Sequence, residues 1–221
     1  MTALRLILVR HGVTDWNREG RFQGHRDPGL SDMGRHEAEL AAARIAGDPA
    51  LRPARIISSS LGRAVQTAEP LGAAIGIAVE PDTRLMEIGQ GDWEGRTHAE
   101  LEVEDGERYR AWRQAAGIRQ PPNGEPIESA TARIRSLVDE LEHTPPPNGP
   151  ICLVSHGGSL RILAHLLLEL EDVHSLEVDN ASIGVLTRTR SWRLDRWNDT
   201  LHLLGQEPSH VDEMEGRPLA L

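Results

Sequence analysis

Two stretches of the sequence end in the same pair of residues, a histidine followed by a glycine. LILVRHG, at residues 6–12, passes from four apolar residues into Arg10 and His11, and ICLVSHG, at residues 151–157, ends on His156 and its glycine. A continuous apolar run is typical of a strand that is buried on both faces of a parallel sheet. Ligands bind such sheets beyond the carboxyl ends of the strands. The repeat therefore predicts two imidazoles at one place above the sheet.

A third segment adds a second cation to this place. In SSSLGRAVQTA, at residues 58–68, Arg63 lies close to the start of a predicted helix, and a helix N-terminus attracts anions. A histidine at a strand end is most often structural. Here the adjacent Arg10 favours a site, as do Gly12 and Gly157, which let a ligand approach the backbone. Two arginines, two histidines and exposed amides suit a dianionic phosphoryl group.

Composition narrows the classes of partner. The 221 residues fit a single domain, 1–221, and their formal net charge of −10 argues against a nucleic-acid partner. No apolar stretch approaches the roughly 20 residues that span a bilayer, so no membrane partner is expected. The single cysteine, Cys152, excludes an internal disulfide, and a cytoplasmic location is expected. All 24 basic residues are arginine, which excludes a lysine nucleophile.

Strands and helices alternate along most of the chain. The pattern predicts strands over 4–10, 54–60, 77–81 and 151–155, helices over 32–46, 61–76, 126–142 and 158–170, and a hairpin of 183–189 with 192–198. This alternation predicts an α/β fold, a three-layer α/β/α sandwich with a mostly parallel central sheet.

Local signals refine these elements. Ser31 is a predicted N-cap, Gly76 is expected to end a helix, and Pro70 is expected to kink or break that helix. Residues 84–125 are irregular, with one helix near 105–116, and are predicted to be an insertion over the candidate site. A polar tail is predicted from about residue 200.

Several motifs together identify a family. LVRHGVTDWN resembles the signature of the histidine phosphatase superfamily, whose members share the phosphoglycerate mutase-like fold. RFQGHRDPGLSDMGRHEAE, SSSLGRAVQTA, LMEIGQGDWEG, PNGE and LVSHGG are similar to further segments of that family and occur in the family's order. The resemblance covers about residues 4–160.

The resemblance implies a role for each candidate residue. His11 is the implied nucleophile that becomes phosphohistidine, and Glu87 is the implied acid that protonates the leaving oxygen and then helps to activate water. The phosphoryl oxygens are bound by Arg10, Arg63 and His156. Positions that match residues lining the phosphate or substrate are Thr14, Asn17, Gln23, Gly24 and Gly157.

The chemistry sets conditions on these groups. An imidazole attacks phosphorus only when neutral, so one ring nitrogen of His11 is expected to be held by a backbone carbonyl. Glu87 is expected to be shielded by Met86 and Ile88, so that it is partly protonated near neutral pH. Neither a metal nor another cofactor is expected, because no H-E-x-x-H motif or cysteine pair is present.

Three functions remain open within this family. A phosphomonoesterase that acts on a small phosphorylated metabolite is favoured, a 2,3-bisphosphoglycerate-dependent phosphoglycerate mutase is the alternative, and an inactive phospho-ligand-binding module is the third. Such mutases carry a lysine in an extended region after the acid. Here that region has no lysine, although four arginines offer substitute cations: Arg96, Arg108, Arg110 and Arg113.

Local similarities favour the phosphatase branch. GDWEG resembles that branch, and within it DTRLMEIGQGDWEGRTHAEL and WRLDRWND are similar to glucosyl-3-phosphoglycerate phosphatases. Val13 stands where the family commonly has Glu or Gln, and Gly29 stands where it commonly has Pro. Val13 is therefore expected to change the rim of the pocket. The resemblance and the edge of the predicted hairpin suggest a homodimer.

Overall fold

The computed structural model describes residues 3–113, 120–144, 148–170 and 176–205. Within these ranges one sheet contains β1 (Leu4–Arg10), β2 (Arg55–Ser59), β3 (Val79–Asp82), β4 (Ile151–Ser155), β5 (Ile183–Arg188) and β6 (Trp192–Asp199). The strand order is β3-β2-β4-β1-β5-β6. The first four strands are parallel to one another, whereas β5 pairs antiparallel with both of its neighbours, β1 and β6. The predicted mostly parallel sheet with a hairpin is confirmed.

Helices surround the sheet. They are α1 (Asp15–Arg18), α2 (Asp32–Gly47), α3 (Gly62–Ile75), α4 (His98–Glu104), α5 (Gly106–Arg113), α6 (Ile127–His143) and α7 (Gly157–Leu168). Short 3₁₀ turns occupy Thr83–Leu85, Gly91–Trp93 and Leu201–Leu203. In the part of the chain that the structure describes, no helix is long and apolar enough to cross a membrane.

The two faces of the sheet are covered by different helices. In β1, Leu6 and Leu8 join a core with α6 and α7, whereas Ile7 and Val9 join a core with α2 and α3. Successive side chains of a strand point to opposite faces, so a strand that is covered on both sides is apolar at every position. The predicted three-layer sandwich is confirmed.

The helix boundaries follow the predicted signals, with one exception. Ser31 caps α2, its side chain accepting the Gly34 N–H at 3.1 Å, and α3 ends before Gly76, whose φ is 74°. However, α3 continues through Pro70, so the predicted break does not occur. The reason is tertiary packing, because the buried face of α3, which includes Ala68 and Leu71, lies against the sheet on both sides of the proline.

A separate aromatic cluster organises the segment predicted as an insertion. Its members lie on α4, α5, the 3₁₀ turn at 91–93 and the loop after α1: Phe22, Trp93, Leu101, Tyr109 and Trp112. The helix predicted near 105–116 corresponds to α5, while 114–119 lie outside the described residues. The same holds for 206–221, which include most of the predicted tail.

We expect the centre of the sheet to dominate stability. Leu153 of β4 is fully buried in the core that the sheet forms with α6 and α7, so Leu153→Ala should lower the free energy of unfolding by about 2–5 kcal/mol. Leu204→Ala, the same substitution at a side chain that is 75% exposed, should change it by less than about 0.5 kcal/mol. Urea denaturation measures both values, and similar losses in the two variants would contradict this account.

Candidate active site

Pairing of β1 with β4 brings the two histidines together. Arg10 pairs with Ser155 in the parallel register, and the His11 N–H donates to the Ser155 carbonyl at 2.9 Å. The ring centroids of His11 and His156 are 5.0 Å apart. The juxtaposition predicted from the repeated apolar run is therefore present at the carboxyl ends of two neighbouring strands.

The environment of His11 favours a neutral ring with one free nitrogen. Nδ1 lies 2.8 Å from the Gly12 carbonyl, and a carbonyl only accepts, so Nδ1 carries the hydrogen and Nε2 keeps its lone pair. Burial, together with the charges of Arg63 and Arg10, holds the pKa of His11 well below its usual value of 6.5, although the hydrogen bond to Gly12 opposes this. At neutral pH such a ring has the free lone pair that a nucleophile requires.

His156 presents one nitrogen without a protein partner. Its ring is fully buried, and Nε2 lies 2.8 Å from Ser59 Oγ. Nδ1 is also buried and has no partner among the described residues. Burial, followed by the charge of Arg63, holds the pKa of His156 well below its usual value. An Nδ1–H on this neutral ring would be a donor for a bound anion.

Arg63 is a fully buried cation. It donates to the carbonyls of Gly24 and Arg26, each at 2.9 Å, and lies 3.3 Å from Asp27 Oδ1. Its Nε has no partner within the described ranges. Burial lowers the pKa of Arg63, while the charges of Glu87 and Asp27 oppose that shift.

Arg10 supplies the second cation. Its Nη1 donates to the Val178 carbonyl at 2.6 Å, and its buried Nε lacks a partner in the described chain. Desolvation lowers the pKa of Arg10 against the opposing charges of Glu87 and Asp179. Two guanidinium groups thus direct unpaired N–H groups into one buried region, which suits a phosphoryl dianion.

The two glycines that follow the histidines have different roles. A Cβ on Gly157 would lie 3.7 Å from the Arg10 guanidinium carbon, an ordinary contact. A Cβ on Gly12 would clash with the Gly34 carbonyl of α2. Gly12 therefore allows the backbone after β1 to pack against α2, and the expectation that it admits a ligand stays a prediction.

Glu87 lies at the N-terminus of α7. One carboxylate oxygen accepts the N–H groups of Ile88 at 2.9 Å and Ser159 at 3.1 Å, and the other accepts that of Gly158 at 3.1 Å. Ile88 is buried, as expected, whereas Glu87 and Met86 are only half-buried. The carboxylate is therefore oriented by backbone donors and is only partly shielded.

Thr14 and Asn17 form a capping box around α1. Asn17 Oδ1 accepts from the Thr14 N–H at 3.1 Å and hydroxyl at 3.0 Å, and Asn180 Nδ2 lies 3.4 Å away. This leaves Asn17 Nδ2 without a protein partner among the described residues. Thr14 is fully buried, so it orients Asn17.

Gln23 and Gly24 belong to the loop that holds Arg63. The Gly24 carbonyl accepts from Arg63, and Gln23 Oε1 is buried with no partner in the described part of the chain. Glu94, in the motif GDWEG, accepts the N–H groups of His25 at 2.9 Å and Arg26 at 3.2 Å. Glu94 therefore organises this loop.

The two departures from the family pattern have structural explanations. Val13 is fully buried, and its backbone binds the Glu37 carboxylate and the hydroxyl and amide of Ser31, so the prediction that it shapes the pocket rim is wrong. Gly29 has a φ of 75°, which proline cannot adopt. The local backbone therefore differs where the family commonly has proline.

Several supporting residues were not predicted from the sequence. Asn180 donates to the His11 carbonyl at 2.9 Å, and Thr67 accepts the Gly12 N–H at 3.0 Å. Asp27 accepts from the first backbone N–H groups of α3 and so replaces a local cap. Glu37 could have been found from the sequence, because it places a carboxylate on the Ala-rich face of α2, which is buried.

Possible metal ligands do not cluster here. Among the described residues, no three histidine, cysteine, aspartate or glutamate side chains are grouped so that they could hold a metal ion. The cations that face this site are Arg10 and Arg63.

Comparisons with known proteins give one consistent family. A model described as "Histidine phosphatase superfamily (branch 1)" matches residues 6–200. A glucosyl-3-phosphoglycerate phosphatase of Mycobacterium tuberculosis is 39% identical over 217 residues, covering 90% of this chain and 96% of the relative. One from Mycolicibacterium vanbaalenii is 37% identical over 220 residues, with the same coverage. The structure of a mycobacterial glucosyl-3-phosphoglycerate phosphatase with VO3 has a TM-score of 0.77 at 41% identity, covering 89% of this chain and 100% of that chain.

The buried histidines predict a pH-dependent stability. In the unfolded chain His11 and His156 take up protons as the pH falls through 6.5, whereas in the folded chain they stay neutral to lower pH. The unfolded state is then stabilised, so the free energy of unfolding should fall below pH 6.5 by up to about 1.4 kcal/mol per pH unit for each histidine.

Urea denaturation between pH 7 and pH 5 (about two units) measures this slope. His156→Gln should remove the contribution of one histidine to this slope. His36→Gln, which replaces an exposed histidine, should keep the wild-type slope. An identical slope in wild type and His156→Gln would contradict the assignment of a buried neutral ring.

Proposed function

The chain belongs to the histidine phosphatase superfamily, and from this premise we propose that it hydrolyses glucosyl-3-phosphoglycerate through a phosphohistidine on His11. The observation that carries the proposal is the neutral His11 ring, with its free Nε2 beside unpaired donors of Arg10, Arg63 and His156. The substrate is inferred from the two relatives of that name, which align over nearly their whole length.

The first step transfers the phosphoryl group to the protein. His11 Nε2 donates its lone pair to phosphorus, the P–O bond to the leaving alcohol breaks, and the alcohol oxygen takes a proton from Glu87. Arg10 and Arg63 offset the charge on the phosphoryl oxygens. Positioning and charge stabilisation supply most of the catalysis in phosphoryl transfer.

The second step returns the protein to its starting state. Water attacks phosphorus, the P–N bond breaks, and its electron pair returns to His11 Nε2. Glu87 accepts a proton from the water, so the carboxyl group regains the proton that it gave to the alcohol. A covalent intermediate divides one difficult hydrolysis into two transfers.

The phosphatase is favoured over the mutase by the state of the arginines after Glu87. Each is exposed or half-exposed, and each already has a partner in its own segment: Arg96 with Glu100 and Glu104, Arg108 with Asp105, Arg110 with Glu102, and Arg113 over the Tyr109 ring. Carboxylates offset three of these charges and Arg113 is held over a ring, so the four are poor substitutes for the lysine of a mutase. An inactive binding module is disfavoured, since every group that the two steps require is present.

Assembly and location complete the proposal. β6 is an edge strand with a half-exposed surface that includes Leu194, which is compatible with a homodimer.

Cys152 is buried and unpaired, which suits the reducing cytoplasm. The 84–125 segment is proposed as an insertion over the site, because it carries Glu87 and contacts the loop that holds Arg63.

His11→Ala should abolish turnover, because no other group supplies the nucleophile. Wild-type protein that is quenched in alkali during turnover of a ³²P-labelled substrate should retain phosphate that acid releases, the signature of phosphohistidine. The variant should retain none, and His36→Ala should behave as wild type. Phosphoenzyme formation by His11→Ala would exclude this nucleophile.

Glu87→Gln should slow substrates according to their leaving group. Benzyl phosphate releases an alkoxide and needs the acid, so its kcat/KM should fall roughly 10²–10³-fold. p-Nitrophenyl phosphate releases a stable phenolate, so its loss should be within about tenfold. Equal losses on the two esters would exclude the acid role.

A phosphate-release assay tests the substrate. The panel contains glucosyl-3-phosphoglycerate, 3-phosphoglycerate, α-ribazole phosphate and phosphoserine, all with EDTA present because two arginines supply the positive charge. Glucosyl-3-phosphoglycerate should give the highest kcat/KM. A higher value for another ester would refute the substrate, and loss of turnover in EDTA would refute a metal-free site. Conversion of 3- to 2-phosphoglycerate, measured in a parallel assay, would support the mutase.

A further inference from the structure

The loop that carries Glu87 is bound by one arginine from outside the reacting centre. We propose that Arg133, held by Glu125, is a positioning residue that sets the Glu87 carboxyl group for proton transfer. This inference rests on the acid role proposed for Glu87. It adds a pair of residues that act through the backbone of the loop and do not touch the phosphoryl group.

The geometry of Arg133 shows how it acts. It projects from α6, and its Nη1 donates to the carbonyls of Arg84 at 2.8 Å and Met86 at 2.6 Å. Its Nη2 donates to the carbonyl of Glu87 at 3.1 Å. One planar guanidinium therefore binds three carbonyls within four consecutive residues, in a segment that has no strand or α-helix ladder to do so. Ser159 Oγ also donates to the Met86 carbonyl at 2.6 Å, and His25 Nε2 lies 2.9 Å from the Glu87 carbonyl.

Glu125 fixes the guanidinium in turn. Its two carboxylate oxygens accept from Arg133 Nε at 2.8 Å and Nη2 at 3.0 Å, a bidentate pair. Burial raises the pKa of Glu125, but the hydrogen bonds and charge of Arg133 outweigh this effect, so the pKa lies below its usual value. The ion pair is therefore fully formed at neutral pH.

The pair also binds the chain on the far side of Glu87. Glu125 Oε2 accepts the Gly89 N–H at 3.1 Å, and the Glu125 N–H donates to the Gly89 carbonyl at 2.8 Å. Contacts from Arg133 and Glu125 thus begin at residue 84 and end at residue 89. Glu87 lies between them, so the direction of its side chain depends on this pair at one end and on the N-terminus of α7 at the other.

The partners of Arg133 exclude a direct catalytic role in this geometry. All five of its hydrogen bonds go to backbone carbonyls of the Glu87 loop or to Glu125. If Arg133 acts only through Glu87, its replacement should lower kcat/KM most for the substrates that depend most on Glu87. A group with a general structural role should affect all substrates equally.

The test compares two esters of similar size, benzyl phosphate and p-nitrophenyl phosphate, in Arg133→Gln and Arg133→Lys. The ratio of their kcat/KM values does not depend on the fraction of protein that is folded, so partial misfolding does not mask the result. We expect this ratio to fall roughly tenfold or more in Arg133→Gln, because a small displacement of a catalytic group is costly. Arg133→Lys keeps the charge but lacks the planar fork of the guanidinium, so its ratio should lie between those of Arg133→Gln and wild type.

Arg135→Gln is the matched control, since Arg135 lies on the same helix and is exposed. It should keep the wild-type ratio. In a double-mutant cycle, Arg133→Gln should not lower the ratio further once Glu87→Gln is present. An unchanged ratio in Arg133→Gln, or an additive effect in the double variant, would refute the positioning role.

The outcomes separate this inference from the proposed function. If Glu87→Gln itself leaves the ratio unchanged, the acid role fails, and the positioning role fails with it. If Glu87→Gln lowers the ratio and Arg133→Gln does not, only the positioning role is refuted.

Discussion

Desolvation of two guanidinium groups, that of buried Arg63 and that of half-buried Arg10, is the constraint on which the site depends. Placing a cation out of water is costly unless its N–H groups are hydrogen-bonded. Arg63 meets this cost with two carbonyls and Asp27, and Arg10 with the Val178 carbonyl. Carbonyls satisfy N–H groups without cancelling the charge. Burial, followed by the positive potential that remains, keeps His11 and His156 neutral, and this potential favours a dianion.

Carboxylates that bind backbone N–H groups keep the surrounding loops in place. Asp27 caps α3, Glu94 binds the loop before Asp27, and Glu87 binds the start of α7. A carboxylate can accept several N–H bonds in fixed directions, so each one orders a turn that has no regular ladder of its own. Arg10 and Arg63 lie on regular elements, β1 and α3, whereas the loop that binds Arg63 and the segment that carries Glu87 are irregular and are ordered by these carboxylates.

The strands, most helix boundaries and the pairing of the two histidines could be predicted, because each rests on a local pattern. Apolar runs predicted β1 and β4, and the cap at Ser31 predicted the start of α2. The local pattern left open whether the helix breaks at Pro70, since the continuation of α3 results from packing on the sheet. The same limit explains the error at Val13, whose burial depends on Glu37 and Ser31 folding over it.

The supporting contacts of the site were beyond local prediction for the same reason. Glu94 contacts His25 across 69 positions of sequence, and Arg133 contacts Met86 across 47. The motif GDWEG marked the segment of Glu94 but not its contact, and nothing in the neighbourhood of Arg133 distinguishes it from an ordinary surface charge. The proposed nucleophile, His11, follows a strand end, whereas the proposed acid, Glu87, lies on a loop held by such distant contacts. Changes in those contacts can therefore alter proton transfer to the leaving group while the phosphoryl-binding groups stay in place.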